Sequence, residues 1–306
     1  LAAQNLPALY VHGHLLIENV NDLRIDGLVV ANQDIRISAA ASDVVVEGAL
    51  FVGGALLETT VDTSGRTGLL RGNPTWTTGV LGGALQLDGV DDYVDCGTNP
   101  DYDLSARITV AAWVNTNDAG DGRHHPYVTK GDRTYALRHR HLPGDPSNFL
   151  EFFIYDGTWR SALFPVDASF NGEWHHVAGT YDGANVKLYI DGILRATTPH
   201  TGTIAVRPEQ PLYLGANSEW PDRFYQGAID DVRIYNSALD GTSINNVKAG
   251  QAVTAGLVTR WTLDESGSGL TIIANPRKAA IVAGMPWSQT YWSPAAGSFF
   301  RSIGRP

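Results

Sequence analysis

The sequence predicts an all-β protein built as a sandwich or jelly roll. Short segments rich in β-branched and aromatic residues recur along the middle of the chain, among them ITVAAWV (Ile108–Val114) and VKLYIDG (Val186–Gly192). In Val186–Ile190 the apolar residues alternate with Lys187 and Tyr189, a period-two pattern that buries one face of a strand. Asp-Gly pairs, which suit tight hairpin turns, separate such segments: Asp88-Gly89, Asp182-Gly183 and Asp191-Gly192. No long helical pattern lies between them, which favours a β-sandwich.

The first 58 residues have a different pattern. Three similar segments, LYVHGH (Leu9–His14), LVVANQ (Leu28–Gln33) and LFVGGA (Leu50–Ala55), recur about every 20 residues, the period of a solenoid coil. Each coil would bury a short apolar strand against the next. The stretch resembles β-solenoid segments beside pilin-like and bactofilin-like proteins. The alternative is an antiparallel meander packed on the jelly roll.

Residues 59–250 contain several motifs in a characteristic order. They include GGALQLDGVDDYVDCG (Gly82–Gly97), EWHHVAGTYDG (Glu173–Gly183) and GAIDDVRIYNSAL (Gly227–Leu239), followed by a short helix-like segment. This order resembles the laminin-G-like, concanavalin-A-like jelly-roll domains of bacterial surface proteins. The resemblance implies the fold and an extracellular or cell-surface location. It does not decide the function, because this fold hosts lectins, adhesion modules, glycosidases and lyases.

Residues 251–306 hold a strand in an unexpected place. GLVTRWTLDESGSG (Gly256–Gly269) resembles the first strand of a laminin-G-like domain, yet it follows the last one. The strand could complete its own jelly roll, complete that of a neighbouring subunit, or begin a second domain. We favour self-completion, because the first and last strands of this fold usually lie side by side. An exposed edge also invites pairing with another chain. The aromatic tail that follows would cap the solenoid or dock on a partner.

Composition excludes some classes of partner. The formal net charge is −10 and the pI is about 5.3, without a basic stripe, so nucleic acid and anionic membranes are poor candidates. No run approaches the roughly 18 apolar residues of a membrane span. Cys96 is the only cysteine, so no internal disulfide can form. We expect it to be a small buried residue, with intermolecular pairing as the alternative.

The carboxylate pattern argues against catalysis. A glycosidase of this class needs two carboxylates across a cleft, often from an E-x-D-x-x-E strand, and no such string occurs. Glu151 lacks a correctly spaced partner. A lyase could draw on YALRHRH (Tyr135–His141), in which strand alternation places Arg138 and Arg140 on one face and both histidines on the other.

Ligand contacts are expected from aromatic residues in or near loops. Trp159, Trp220 and Tyr225 could stack on sugar rings, with Arg138 and Arg140 beside them. Each ring could equally be a packing residue. The polar stretches 115–126 and 139–148 are predicted to be loops, which carry most of the function on a β scaffold.

Two kinds of metal site are conceivable. His124, His125, His139 and His141 could bind a transition metal, or they could be exposed loop histidines. The family resemblance implies calcium at the sandwich edge, held by Asp231 of the closing strand. Asp264 and Glu265 of the opening-like strand and Asp88 of QLDG are the other candidate ligands. Alternatively, these carboxylates accept hydrogen bonds from turn N–H groups.

The sequence therefore predicts a non-catalytic, extracellular binding or adhesion module, stabilised by calcium and recognising a glycan or a protein. One alternative is a subunit of a surface filament or pilus-like assembly, with copies of the chain exchanging residues 256–265. Another is a polysaccharide hydrolase or lyase.

Overall fold

The computed structural model describes residues 9–12, 14–18, 20, 23–31, 33–38, 44–52, 56–63, 66–117, 122–142, 145–265, 271–274 and 281–283. The chain forms two compact units. One comprises residues 1–59 and 266–306, and the other comprises residues 60–265. Among the described residues, none of the helices has the length and apolar character that crossing a membrane requires.

The regular elements are almost all strands. The first six are β1 (Leu9–Val11), β2 (Leu15–Ile17), β3 (Arg24–Ala31), β4 (Ile35–Ser38), β5 (Val45–Val52) and β6 (Leu56–Val61). The next nine are β7 (Thr67–Arg71), β8 (Thr75–Thr78), β9 (Gly83–Asp88), β10 (Tyr93–Asp95), β11 (Ile108–Thr116), β12 (His125–Thr129), β13 (Tyr135–Leu142), β14 (Asp145–Tyr155) and β15 (Trp159–Val166). The last eight are β16 (Trp174–Tyr181), β17 (Asn185–Ile190), β18 (Ile193–Pro199), β19 (Tyr213–Leu214), β20 (Gln226–Tyr235), β21 (Leu257–Trp261), β22 (Thr271–Ala274) and β23 (Ile281–Ala283). The helices are α1 (Gly241–Lys248) and two 3₁₀ turns, Pro100–Tyr102 and Ala168–Phe170.

The smaller unit consists of parallel strands. In one sheet β1, β3 and β5 lie side by side, with Leu9 opposite Val29 and Val29 opposite Leu50. In another β2, β4 and β6 are paired in the same parallel way. The repeat of about 20 residues is therefore a coil of a β-solenoid, and the antiparallel meander is ruled out. Both β22 and β23 pair with β5 and extend the parallel sheet. The aromatic residues 285–306 lie outside the described residues.

The larger unit is the predicted jelly roll. One sheet has the order β15-β14-β13-β12-β19-β10-β7 and the other β18-β17-β16-β11-β20-β9-β8, with antiparallel pairing throughout. Their inner faces form one buried apolar core, which contains Val186, Leu188 and Ile190 as the alternation predicts. Cys96 is buried in this core. Helix α1 is the predicted helix-like segment, capped by Asp240, whose side chain accepts a hydrogen bond from the Ser243 N–H.

The returning strand β21 completes the sheet of its own chain. It pairs antiparallel with the last residues of β20, while β9 pairs with the first residues of that strand. Trp261 and Leu263 are fully buried in the core. Self-completion, the outcome favoured from the sequence, is therefore confirmed in this structure.

The stretch 139–148 was predicted to be a loop, and this was wrong. Its described residues, 139–142 and 145–148, lie in β13 and β14, which pair with Arg138 opposite Glu151. The polar residues are tolerated in a central hairpin because the arginines on one face are paired and the histidines on the other pack against one another. The stretch 115–126 likewise ends in a strand, since β12 begins at His125.

Candidate functional site

One buried carboxylate ties together three strands on the outer face of the first jelly-roll sheet. The alternation along β13 places Leu137 in the core, so Arg138 and Arg140, at the alternate positions, point outward. Glu151 on β14 accepts hydrogen bonds from Arg138 Nε at 2.7 Å and from Arg140 Nη1 at 2.9 Å. It also accepts one from Ser161 Oγ on β15 at 2.6 Å. The sequence correctly predicted that the two arginines share a face.

A second carboxylate, Asp132, lies in the turn between β12 and β13. Its Oδ1 accepts from Asn217 Nδ2 at 2.6 Å and from Arg138 Nη1 at 3.3 Å, and its Oδ2 accepts from Arg223 Nη1 at 2.6 Å. Arg138 therefore bridges Asp132 and Glu151. Since both carboxylates are buried and charge-assisted hydrogen bonds are strong, the network holds its side chains in fixed positions.

Two exposed tryptophans are anchored to this network. The indole Nε1 of Trp159 donates to the backbone oxygen of Asp132 at 2.7 Å, and 55% of the residue remains exposed. The guanidinium of Arg223 lies 4.6 Å from the ring centroid of Trp220, which is 48% exposed. Both rings are thus held by groups bonded to Asp132 while much of their surface faces solvent. Large exposed aromatic surfaces beside ordered polar groups are typical of binding sites.

Four of the five residues predicted to bind a ligand lie in or beside this network: Trp159, Trp220, Arg140 and Arg138, of which Arg138 is buried between the two carboxylates. The fifth, Tyr225, was predicted wrongly, because its ring is fully buried against Tyr127 with the centroids 4.9 Å apart. Its hydroxyl donates to the Ala228 oxygen at 3.1 Å. Sequence reasoning missed Asp132, Asn217 and Arg223. Asn217 and Arg223 flank Trp220 in NSEWPDR, so a polar cluster around an exposed aromatic was the available signal.

The predicted calcium ligand Asp231 is a partner of two arginines, which corrects that expectation. Its Oδ2 lies 2.7 Å from Arg233 Nη2, and its Oδ1 accepts from Arg260 Nε at 2.6 Å. With both oxygens taken by guanidiniums, this carboxylate is poorly arranged to bind a cation. Asp88 caps its own turn by accepting from the Val90 N–H at 2.8 Å, as the alternative reading expected.

The neighbouring Asp230 has a different environment. Its Oδ2 accepts from the N–H groups of Val80 and Leu81 at 2.8 and 2.9 Å. Its Oδ1 is buried and has no hydrogen-bond partner among the described residues. Burial, together with the negative charges of Asp231 and Asp264, raises the pKa of Asp230 to about 6, although the two N–H groups oppose this.

Asp230 lies near Asp264, where β9 and β21 meet along β20. Asp264 follows β21 and its Oδ1 accepts from the Gly83 N–H at 2.8 Å, and Glu265 comes next in the chain. A Cβ atom at Gly82 would lie 2.1 Å from Asp264 Oδ1, so only glycine lets the loop pass this close. The charge of Asp264 acts on Asp230, and carboxylate oxygens are ligands that a hard cation such as calcium takes.

Several solved structures resemble the chain. Domain 4 of AbnA, a GH43 extracellular arabinanase from Geobacillus stearothermophilus solved with arabinotriose, is 22% identical with a TM-score of 0.46. The match covers 57% of this chain and 81% of that one. The receptor-binding domain of botulinum neurotoxin C/D mosaic serotype is 17% identical with a TM-score of 0.48, over 62% of this chain and 48% of that one. A heptameric SAP-like pentraxin from Limulus polyphemus is 13% identical with a TM-score of 0.40, over 51% and 77%.

Comparison with curated proteins gave no match. A family model, however, matches residues 88–245, which is just over half of the 306 residues and lies wholly within the jelly roll. The motif order and the observed sheets agree with this assignment. The chain belongs to the concanavalin A-like lectin/glucanases superfamily.

Proposed function

We propose that this chain is a non-catalytic, extracellular glycan-binding module whose ligand lies across the face between Trp159 and Trp220. The observation that carries the proposal is that both half-exposed indoles are anchored to the same residue, Asp132. Membership of a superfamily of lectins and glucanases supports a carbohydrate ligand. The extracellular location follows the usual setting of laminin-G-like domains.

The chemistry of the face suits a sugar. The apolar C–H face of a pyranose ring packs on an indole, and its hydroxyl groups need donors and acceptors close by. Arg140 and Arg223 are partly exposed and carry five N–H donors each, of which the network uses only some. Because the network fixes these groups before the ligand arrives, little side-chain entropy is lost on binding.

The arrangement of Asp132 and Glu151 supports binding without hydrolysis. A glycosidase acid must present its proton to the glycosidic oxygen, and its partner must reach the sugar or a water molecule. Here each oxygen of both carboxylates accepts at least one hydrogen bond from Arg138, Arg140, Arg223, Asn217 or Ser161. These carboxylates serve to position the arginines.

A glycan array followed by titration calorimetry tests the proposal. The intact chain should bind a subset of glycans saturably and leave them uncleaved. The Trp159→Ala and Trp220→Ala variants should each weaken that binding, whereas Ile193→Ala, which alters an exposed residue of the other sheet, should not. Binding that survives loss of both tryptophans, or release of shorter sugars, would contradict the proposal.

The same proposal includes calcium, which would stabilise the fold and would not contact the glycan. Asp230 and Asp264 would hold the ion where β9 and β21 meet, and the ion would neutralise their charge and fasten the returning strand. A filament subunit was inferred from the misplaced strand of residues 256–265. Because β21 pairs within its own chain, that observation no longer favours a filament.

A further inference from the structure

Three histidines form a cluster on the inner face of the first jelly-roll sheet. His125 on β12 lies directly opposite His139 on β13, and His141 follows two residues later on the same face. The ring centroids are 6.3 Å apart for His125 and His139, 6.1 Å for His125 and His141, and 5.3 Å for His139 and His141. All three side chains are buried.

The cluster continues the core row of β13. Tyr135 and Leu137 point into the apolar core, and His139 and His141 follow at the same period. Phe170 packs edge-on against His139 with centroids 6.2 Å apart. A leucine or valine would continue the apolar row, whereas these three imidazoles place ring nitrogens side by side at its end.

We propose that His125, His139 and His141 form a binding site for a divalent transition metal, with zinc as the best-fitting ion. Three imidazoles bound to tetrahedral zinc at Zn–N distances of about 2.1 Å place their ring centroids roughly 5 Å apart. The observed separations of 5.3 to 6.3 Å are close to that value. In the observed rotamers the ring nitrogens of the three histidines do not all lie within 4.8 Å of one another. Metal binding therefore requires the rings to rotate about χ2, a soft torsion in histidine.

One ligand already has the orienting hydrogen bond that metal-binding histidines use. His125 Nδ1 lies 3.0 Å from the backbone oxygen of Phe224. With its hydrogen on Nδ1, His125 donates to that oxygen and offers the Nε2 lone pair to the metal. The positive charges nearest in sequence, on Arg138 and Arg140, lie on the opposite face of β13 and are paired with Glu151.

His124 is excluded from the set of ligands. Its Nδ1 accepts a hydrogen bond from the backbone N–H of His141 at 3.2 Å. The site is therefore a three-histidine set with one coordination position left for water or another small ligand, the usual composition of an open zinc site.

Equilibrium dialysis of the untagged, EDTA-stripped chain against zinc tests the site. The parent chain should retain one equivalent of zinc, and cobalt in its place should give the intense visible absorption of four-coordinate Co²⁺. His139→Gln and His141→Gln should each weaken zinc binding at least tenfold, while His200→Gln, which alters a histidine paired with Asp156, should not.

Melting curves in EDTA establish that each variant folds. If His139→Gln does not fold, the zinc affinity of His141→Gln tests the proposal. His141 is the least buried of the three histidines, at 6% exposure, so its replacement should disturb the fold least. The proposal is overturned if the parent chain retains no zinc, or if both variants bind zinc as tightly as the parent does. It is also overturned if bound cobalt shows the weak absorption bands of six-coordinate Co²⁺.

Discussion

Trp159 and Asp132 are joined by a hydrogen bond of 2.7 Å from the indole nitrogen to the backbone oxygen. The two residues are 27 positions apart: Asp132 lies in the turn between β12 and β13, and Trp159 is the first residue of β15. The bond fixes the ring plane of Trp159, and Tyr155 supports it from the side with centroids 5.3 Å apart. An exposed tryptophan that is held in this way differs from one that merely covers the core, because its solvent-facing surface keeps a defined orientation.

The first prediction concerns the two tryptophans. Replacing Trp159 or Trp220 by alanine should weaken glycan binding about tenfold each, or about 1.4 kcal/mol, because a stacking surface is lost. Calorimetry on a glycan selected from the array measures the effect. Since both rings are about half exposed, the melting temperature should change little. A large loss of stability with unchanged affinity would mean that the rings serve packing.

The second prediction concerns Asp132. Asp132→Ala should destabilise the fold by about 3 kcal/mol, because it leaves Arg138 and Arg223 in the network without their shared counter-charge. Glycan affinity should also fall, since Arg223 no longer holds Trp220. Guanidinium denaturation measures the loss of stability. Glu209→Gln is the matched control, since its exposed pair with Arg207 is screened by solvent and should contribute little to stability.

Strand periodicity predicted part of this site correctly. Alternation along YALRHRH places Arg138 and Arg140 on one face and the histidines on the other, and the structure bears this out. Strand periodicity could not show that Asp132 is the centre of the hydrogen-bonded network. Asp132 meets Asn217 and Arg223 across 85 and 91 residues, and no local pattern records which loops of a jelly roll come together. Tyr225 was misassigned for the same reason, because its burial against Tyr127 is a long-range contact.

The error at Asp231 has a local cause. Between Asp230 and Arg233 the register of β20 with β11 shifts, so that two residues of β20 oppose a single residue of β11. Asp231 adopts φ 47°, the left-handed conformation that accompanies such a bulge. The bulge breaks the period-two alternation of β20, and the family resemblance that implied Asp231 could not show which of the two adjacent carboxylates meets the arginines. As a result Asp231 joins the arginines and Asp230 is placed near Asp264.

The third prediction is that calcium stabilises the jelly roll through Asp230. Calcium at 100 times its dissociation constant should add about 2.7 kcal/mol, which raises the melting temperature by several degrees. Asp230→Asn and Asp264→Asn should each abolish the increase. Asp167→Asn is the control, because Asp167 caps a turn by accepting from the Ser169 N–H. If calcium does not change the melting temperature of the parent chain, the proposed calcium site is wrong.

The fourth prediction concerns the returning strand. Trp261→Ala should destabilise the chain by about 3–5 kcal/mol, because a fully buried indole is replaced by a cavity. Leu194→Ala, which alters an exposed residue of β18, should change the free energy of unfolding by no more than about 0.5 kcal/mol.

The same pairing predicts the oligomeric state. Light scattering should find the parent chain monomeric, since β21 already occupies the edge of β20. Polymers that dissociate when residues 256–265 are altered would instead indicate strand exchange.

The fifth prediction concerns pH, and it depends on His176. This histidine is buried beside Trp113, and its ring nitrogens have no hydrogen-bond partner among the described residues. Burial lowers its pKa from 6.5 to about 4, although Asp231 and Asp191 act in the opposite direction. In the unfolded chain the imidazole takes up a proton near pH 6.5, whereas in the folded chain it does so only near pH 4. Between these values the unfolded state binds more protons, so stability falls as the pH is lowered.

The shift corresponds to about 3 kcal/mol across that window. His176→Leu should remove this loss, so its stability relative to the parent should rise between pH 7 and pH 4. Urea denaturation of both proteins across this range measures the difference, in which contributions from other titrating groups cancel. Val177→Ala, on the same strand, should destabilise equally at every pH because it removes apolar contacts only. If the difference between His176→Leu and the parent is constant with pH, then His176 is not the group that limits stability in acid.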